Sequence, residues 1–253
     1  MKLNIKNCAK MILFLSLLSQ YKCNTNLQES PPFEELLLQK MSSINVPEPS
    51  GLAISYDGNF FWCVSDSDRK VYKLDKDGNI IKSFVIIGED IEGVTVIDSL
   101  RIALVIERTR EVVVTDTSGN ELIRKKFNLN GRLNEGLEGI CFDVYSNNFY
   151  LVNEKNPGLL IKTDSSFTEV YRKEIMIAKD YSDIFFAAED TTLWILSDES
   201  KKIIHADLNG IMINQYSIDV QQPEGLVVDY TTKKVYVVSD KKEELYEFKL
   251  PLQ

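Results

Sequence analysis

The sequence predicts an all-β fold: a five-bladed β-propeller closed by an N-terminal strand that pairs with the last blade. Three observations carry the prediction. A glycine-centred phrase followed by an apolar run returns along the chain at separations of 42, 46, 44 and 42 residues. Each copy holds short runs rich in Val, Ile, Tyr and Phe, punctuated by Asp, Asn and Gly, which is strand and tight-turn chemistry. The last copy lacks its fourth run, while an unassigned strand-like segment precedes the first. A period of about 40 to 45 residues with four strands per unit is that of propeller blades. The competing architecture, an all-β solenoid, uses shorter repeats.

In chain order, residues 33–44 (FEELLLQKMSSI) are the segment expected to close the ring and cover its edge. The first frame opens PSGLAIS and pivots on Gly51, the second opens IEGVTVI on Gly93, and the third opens LEGICFD on Gly139. The fourth opens YSDIFFA, with Asp183 in the pivot position, and the fifth opens PEGLVVD on Gly225. The last two strands of a frame are joined by DKDGN, DTSGN, DSSF or DLNG. DKDGN at 75–79 also resembles the start of an EF-hand loop. It lacks a glutamate at the twelfth position and flanking helices, so it reads as a hairpin turn.

Residues 1–23 form a separate object. Four lysines and no acid surround the apolar run MILFLSLLS, the order of an export signal or anchor and too short to span a bilayer comfortably. Cys23 is a candidate lipid-attachment residue, although SQYK before it lacks the small residues that such processing prefers. An ordinary signal with an incidental cysteine is the other reading. Residues 24–32 read as a polar tether and 33–253 as the propeller domain. The expected location is membrane-anchored, periplasmic or extracellular, with the membrane touched only through the N-terminal segment.

Without the leader, 25 basic and 38 acidic side chains remain, a formal charge of −13. That surface repels nucleic acid and anionic lipid. Cys63 and Cys141 sit in apolar strand patterns with no zinc spacing and read as buried thiols. The single histidine, His205, falls in an outer-strand context and reads as packing or surface.

In a propeller blade the start of the first strand and the end of the second meet at one face. The sequence places Glu92, Glu138 and Glu224 at strand starts, with Ser50 and Ser182 at the matching positions. At strand ends stand Asp66, Glu107, Glu154, Asp198 and Asp240, each 14 or 15 residues after its pivot. Eight carboxylates at one depth raise one another's pKa and call for protonation, pairing or a cation. Arg108, Arg110 and Lys155 adjoin the end acids as pairing candidates. Ca²⁺ accepts six to eight oxygens in irregular geometry, so a Ca²⁺ site is expected at Glu92, Glu138 and Glu224. Asp66, Asp198, Asp240 and Asp183 are further mouth residues. The alternative is that these acids only cap turns.

The ordered set PSGL, DIEGV with ERTR, GLEGI with NEKNPGLL, YSDI, and QPEGL with VSD resembles the SdiA-regulated (YjiK-like) family of bacterial envelope proteins, over residues 45–250. The resemblance implies an exported or anchored propeller with a Ca²⁺ site at the matching glutamates, Glu92, Glu138 and Glu224, helped by Glu107 and Glu154. More distantly, the Glu-Gly and Ser-Asp rhythm is similar to gluconolactonase-type and phytase-like propellers.

Two functions follow. One is a non-enzymatic, calcium-binding module that takes a ligand or envelope partner at its acidic face. No GxSxG occurs, and a Ser-His-Asp triad would have to recruit His205. The other is a metal-dependent hydrolase of the lactonase or phosphoesterase type, with Glu107 or Glu154 as general base.

Overall fold

The computed structural model describes residues 31–251; the leader and most of the tether lie outside them. Two strands come first, β1 (Phe33–Glu35) and β2 (Leu38–Ser43). Blade 1 follows as β3 (Pro49–Ile54), β4 (Phe61–Ser65), β5 (Lys70–Leu74) and β6 (Ile80–Val85). Blade 2 is β7 (Ile91–Val96), β8 (Arg101–Ile106), β9 (Glu111–Asp116) and β10 (Glu121–Lys126). Blade 3 is β11 (Leu137–Asp143), β12 (Asn148–Asn153), β13 (Leu159–Thr163) and β14 (Glu169–Glu174). Blade 4 is β15 (Asp183–Ala187), β16 (Thr192–Ser197), β17 (Lys202–Ala206) and β18 (Met212–Ser217). Blade 5 has β19 (Pro223–Asp229), β20 (Lys234–Ser239) and β21 (Glu244–Lys249), and takes β2 as its outer strand.

Every blade is an antiparallel meander, and the first strands β3, β7, β11, β15 and β19 touch one another around the axis. The alternating Val, Ile and Leu of the inner three strands are buried on both faces, because each sheet is sandwiched between neighbours. Five apolar clusters result, one between each pair of adjacent blades. The cluster joining Val227, Tyr236 and Val238 of blade 5 to Leu52, Phe61 and Cys63 of blade 1 closes the ring. Burying one such aliphatic side chain stabilises the fold by about 1.5–3 kcal/mol. The outer strands β6, β10 and β14 have no neighbour beyond them and are almost wholly exposed.

Closure agrees with the sequence expectation in kind and differs in detail. Residues 33–44 do not form one strand. β2 pairs antiparallel with β21, from Leu38↔Phe248 to Ser43↔Glu244. β1 instead lies parallel to β18, Phe33↔Gln215 to Glu35↔Ser217, so the segment clasps blades 4 and 5 together. The break falls at Leu36, which is 4% exposed and belongs to the cluster between those two blades. Burying Leu36 there turns the chain from one blade edge to the next.

Hairpin chemistry is as expected. Asp75 Oδ1 accepts the amides of Asp77 and Asn79, and Gly78 takes φ 90°. Cys63 and Cys141 are free and buried. His205 is packing: its ring stacks on Trp194 at 4.6 Å, and Nε2 lies 2.9 Å from Thr192 Oγ1.

Candidate metal centre

One local device, repeated around the ring, brings acids to the axis. In blades 1, 2, 3 and 5 the pairing of the first two strands slips at Ser50, Glu92, Glu138 and Glu224. A bulge leaves one residue out of the ladder and re-aims its side chain. At Glu92, Glu138 and Glu224 that side chain lines a cavity of about 260 Å³ at one end of the channel. Where serine holds the position, the hydroxyl ties two blades instead: Ser50 Oγ donates to Ile91 O at 2.6 Å, and Ser182 Oγ to Pro223 O at 3.0 Å. The end acids Asp66, Glu107, Glu154, Asp198 and Asp240 line the same cavity. Their level is fixed by backbone bonds such as Glu107 N to Asp90 O and Glu154 N to Gly136 O.

The pivot behind each bulge is a waist in the channel. A Cβ on Gly93 would stand 2.4 Å from the Glu138 carbonyl oxygen, and one on Gly225 would stand 2.6 Å from the Leu52 nitrogen. The first strands therefore approach as only glycine permits. Asp183 departs from the expected mouth position: it occupies this waist and is 1% exposed. Its Oδ1 accepts the amide of Ile184 at 2.8 Å and its Oδ2 that of Leu226 at 2.7 Å, in the neighbouring blade. Burial pushes its carboxyl well above the ordinary range, against the pull of those amides and that of Leu52. Asp183 fills the waist and belongs to the scaffold rather than to the mouth.

At the mouth, Glu107, Glu138 and Glu154 each place a carboxylate oxygen within 4.8 Å of the others. Burial raises Glu138 well above the ordinary carboxylate range, with the charges of Glu92 and Glu107 adding to it. Glu92 and Glu224 are raised in the same way, by burial first and then by neighbouring acids. Both line the mouth outside the three-glutamate cluster. Burial also raises Glu107 and Glu154; the Gly136 amide, 2.9 Å from Glu107 Oε1, and Lys155 pull the other way. Across the mouth, burial and Glu48 push Asp66 up to about 6. Asp66 Oδ1 and Asp240 Oδ1 are buried without a hydrogen-bond partner.

Few bases relieve this charge. Lys155 Nζ lies 2.6 Å from Glu154 and 3.0 Å from Glu199. Arg108 pairs instead with Asp90, and Arg110 donates to the backbone oxygens of Arg108 and Arg132. Sequence reasoning missed Glu48, Asn134, Asp180 and Glu199, which complete the lining. Glu48, Asp90 and Asp180 all stand three residues before a pivot, a register that would have found the first and third. The donor set is wholly oxygen, with neither histidine nor thiol in the lining. Oxygens sharing one Ca²⁺ at 2.3–2.6 Å are at most about 5 Å apart, so the three-glutamate cluster fits a hard cation.

No curated protein matches the chain by sequence. Among solved structures, the ring is similar to glutaminyl cyclase of Myxococcus xanthus at 10% identity, over 87% of this chain and 98% of that one, with a TM-score of 0.69. It is similar to a chain of a nidogen/laminin complex at 15% identity, over 80% and 76%, with a TM-score of 0.57. A streptogramin B lyase follows at 16% identity, over 84% and 73%, with a TM-score of 0.51. At such identities the likeness concerns the fold alone. The sequence family described as SdiA-regulated matches residues 35–249; five blades, a clasped closure and that match over nearly the whole ring together place the chain in the SdiA-regulated family.

Proposed function

We propose that the protein is an exported, calcium-binding propeller of the bacterial cell envelope that receives a ligand or envelope partner at its acidic mouth. The supporting observation is the Glu107, Glu138 and Glu154 cluster, three carboxylates close enough to share one ion in a mouth with a single paired lysine. Glu92 and Glu224 extend the set. A bound Ca²⁺ supplies the positive charge that lets these carboxylates remain ionised together. The leader's charge-then-apolar order supports export, and the acidic surface disfavours nucleic acid.

The hydrolase reading has less support. Its candidate bases, Glu107 and Glu154, are both members of the cluster that the cation would occupy, and Glu154 is already bound to Lys155. The test is thermal unfolding of the full chain in EDTA and in rising Ca²⁺, with elemental analysis of untreated protein. One bound calcium is expected, with a melting temperature that climbs with free Ca²⁺ because the ion binds only the folded state. Glu138→Gln should abolish the climb. No calcium and no shift would remove the cation reading, and recovery of the chain in the cytoplasmic fraction would remove the envelope one.

A further inference from the structure

The opposite end of the channel holds a second, larger cavity of about 560 Å³, within the range of small-molecule sites. The repeat builds it from the residues that follow each pivot, as it builds the acidic mouth from those that precede it. Leu52, Val94, Ile140 and Ile184 form its buried floor, next to the waist that Asp183 fills. Ile54, Val96, Phe142, Phe185 and Tyr230 form the walls.

The charges at this end are of one sign. Asp57, Glu189 and Asp229 line the cavity, and no lysine, arginine or histidine does. Asp229 is offset by Lys76 at 3.5 Å. Asp57 accepts hydrogen bonds from the Ser55 hydroxyl and from Asn59, and Lys76 feels its charge without forming an ion pair with it. Those bonds, Ser55 first, hold its carboxyl down to about 2, so its charge persists. Glu189 is exposed and makes no ion pair or hydrogen bond among the described residues. A cavity with an apolar floor, aromatic side chains in its walls and carboxylates that Lys76 offsets only in part suits an organic cation: the apolar body fills the cavity, and the charge meets aromatic rings and carboxylates. A neutral apolar molecule would leave the carboxylates unused, and an anion would be repelled.

We propose that this cavity is a binding site for a small organic ammonium carried on an apolar or aromatic body, separate from the cation site at the other mouth. The occupant is an amine or quaternary ammonium compound, and the recognition needs no metal.

The test is isothermal titration of the full chain with phenethylamine, 2-phenylethanol and 3-phenylpropionate, each in EDTA and in Ca²⁺. Phenethylamine should bind saturably and about tenfold more tightly than the alcohol, with no binding of the carboxylate. Glu189→Gln and Asp57→Asn, both at exposed positions, should each weaken the amine about threefold and leave the alcohol unchanged. Val144→Arg, also exposed, should block the cavity and abolish binding, with an unaltered melting temperature as the folding control. Glu138→Gln should leave amine binding intact, which separates this site from failure of the calcium reading. Equal affinity for amine and alcohol, or no saturable binding of either, would overturn the proposal. Loss of the amine in Glu138→Gln or on adding Ca²⁺ would overturn it too, by placing the amine at the acidic mouth.

Discussion

The two ends of the channel share one backbone repeat and differ in chemistry: one is lined mostly by carboxylates, the other has an apolar floor and few of them. Before the pivot the strand is bulged in blades 1, 2, 3 and 5, and the freed residue is Ser or Glu. After each pivot the strand is regular, and the residue next to the pivot is Leu, Val or Ile. What separates the ends is a ring one residue thick, made of Gly51, Gly93, Gly139, Gly225 and the Asp183 carboxylate. The comparison teaches that a propeller fixes position and depth and leaves side-chain chemistry free on either side of its tightest point.

The strongest way to break that separation is at the waist itself. Gly93→Val would drive a Cβ against the Glu138 carbonyl and Val105 Cγ2, at 2.4 and 2.7 Å. A loss of about 3 kcal/mol in urea unfolding is expected, and a loss below 1 kcal/mol would mean that the blades separate easily. Asp183→Ala should do less, about 2 kcal/mol, by leaving the Ile184 and Leu226 amides without their acceptor in a buried place. Hydrogen exchange at Leu226 should accelerate, and Asp183→Asn, with one acceptor oxygen left, should fall between. Wild-type stability in Asp183→Ala would show that the waist closes without it.

The smallest expected effect sharpens the contrast through pH. Glu92, Glu138, Glu224 and Asp66 all hold protons more readily in the fold than in the unfolded chain. The metal-free fold therefore binds more protons, and its stability falls as pH rises from the ordinary carboxylate range. The part due to Asp66 is lost as pH passes about 6. Melting in EDTA should accordingly be a few degrees lower at about pH 7.5 than at about pH 5, and Ca²⁺ should remove the difference. A flat profile in EDTA would mean that water already relieves these acids.

The acidic end was legible because blade geometry converts spacing into depth: 14 or 15 residues from pivot to end acid is one first strand, one turn and one second strand. Glu48 and Asp180 are hard to find because the residues three before the pivots are Glu, Asp, Gly, Asp and Gln, which form no single motif. Asp183 was read as one more mouth acid because a pivot that is not glycine looks like a lapse in the repeat. Its partners are backbone amides of its own blade and of two others, which leave no trace in spacing. The apolar end was hidden for a related reason, since Phe142, Phe185 and Tyr230 stand at three different offsets from their pivots. The run LLL at 36–38 concealed the step from β1 to β2 because a strand and a crossing share the same apolar pattern.

The clasp at the N-terminus sets a timetable for folding. β2 is made about 200 residues before its partner β21. At usual synthesis rates the two are separated by roughly 10–40 s, during which blades 1 to 4 can form while the ring stays open. Non-local pairing of this kind slows the final step. Lys40, Ser42 and Ser43 on the waiting strand lower its appetite for other edges. β21 is thus the strand that turns a curved stack of sheets into a closed ring with two usable mouths.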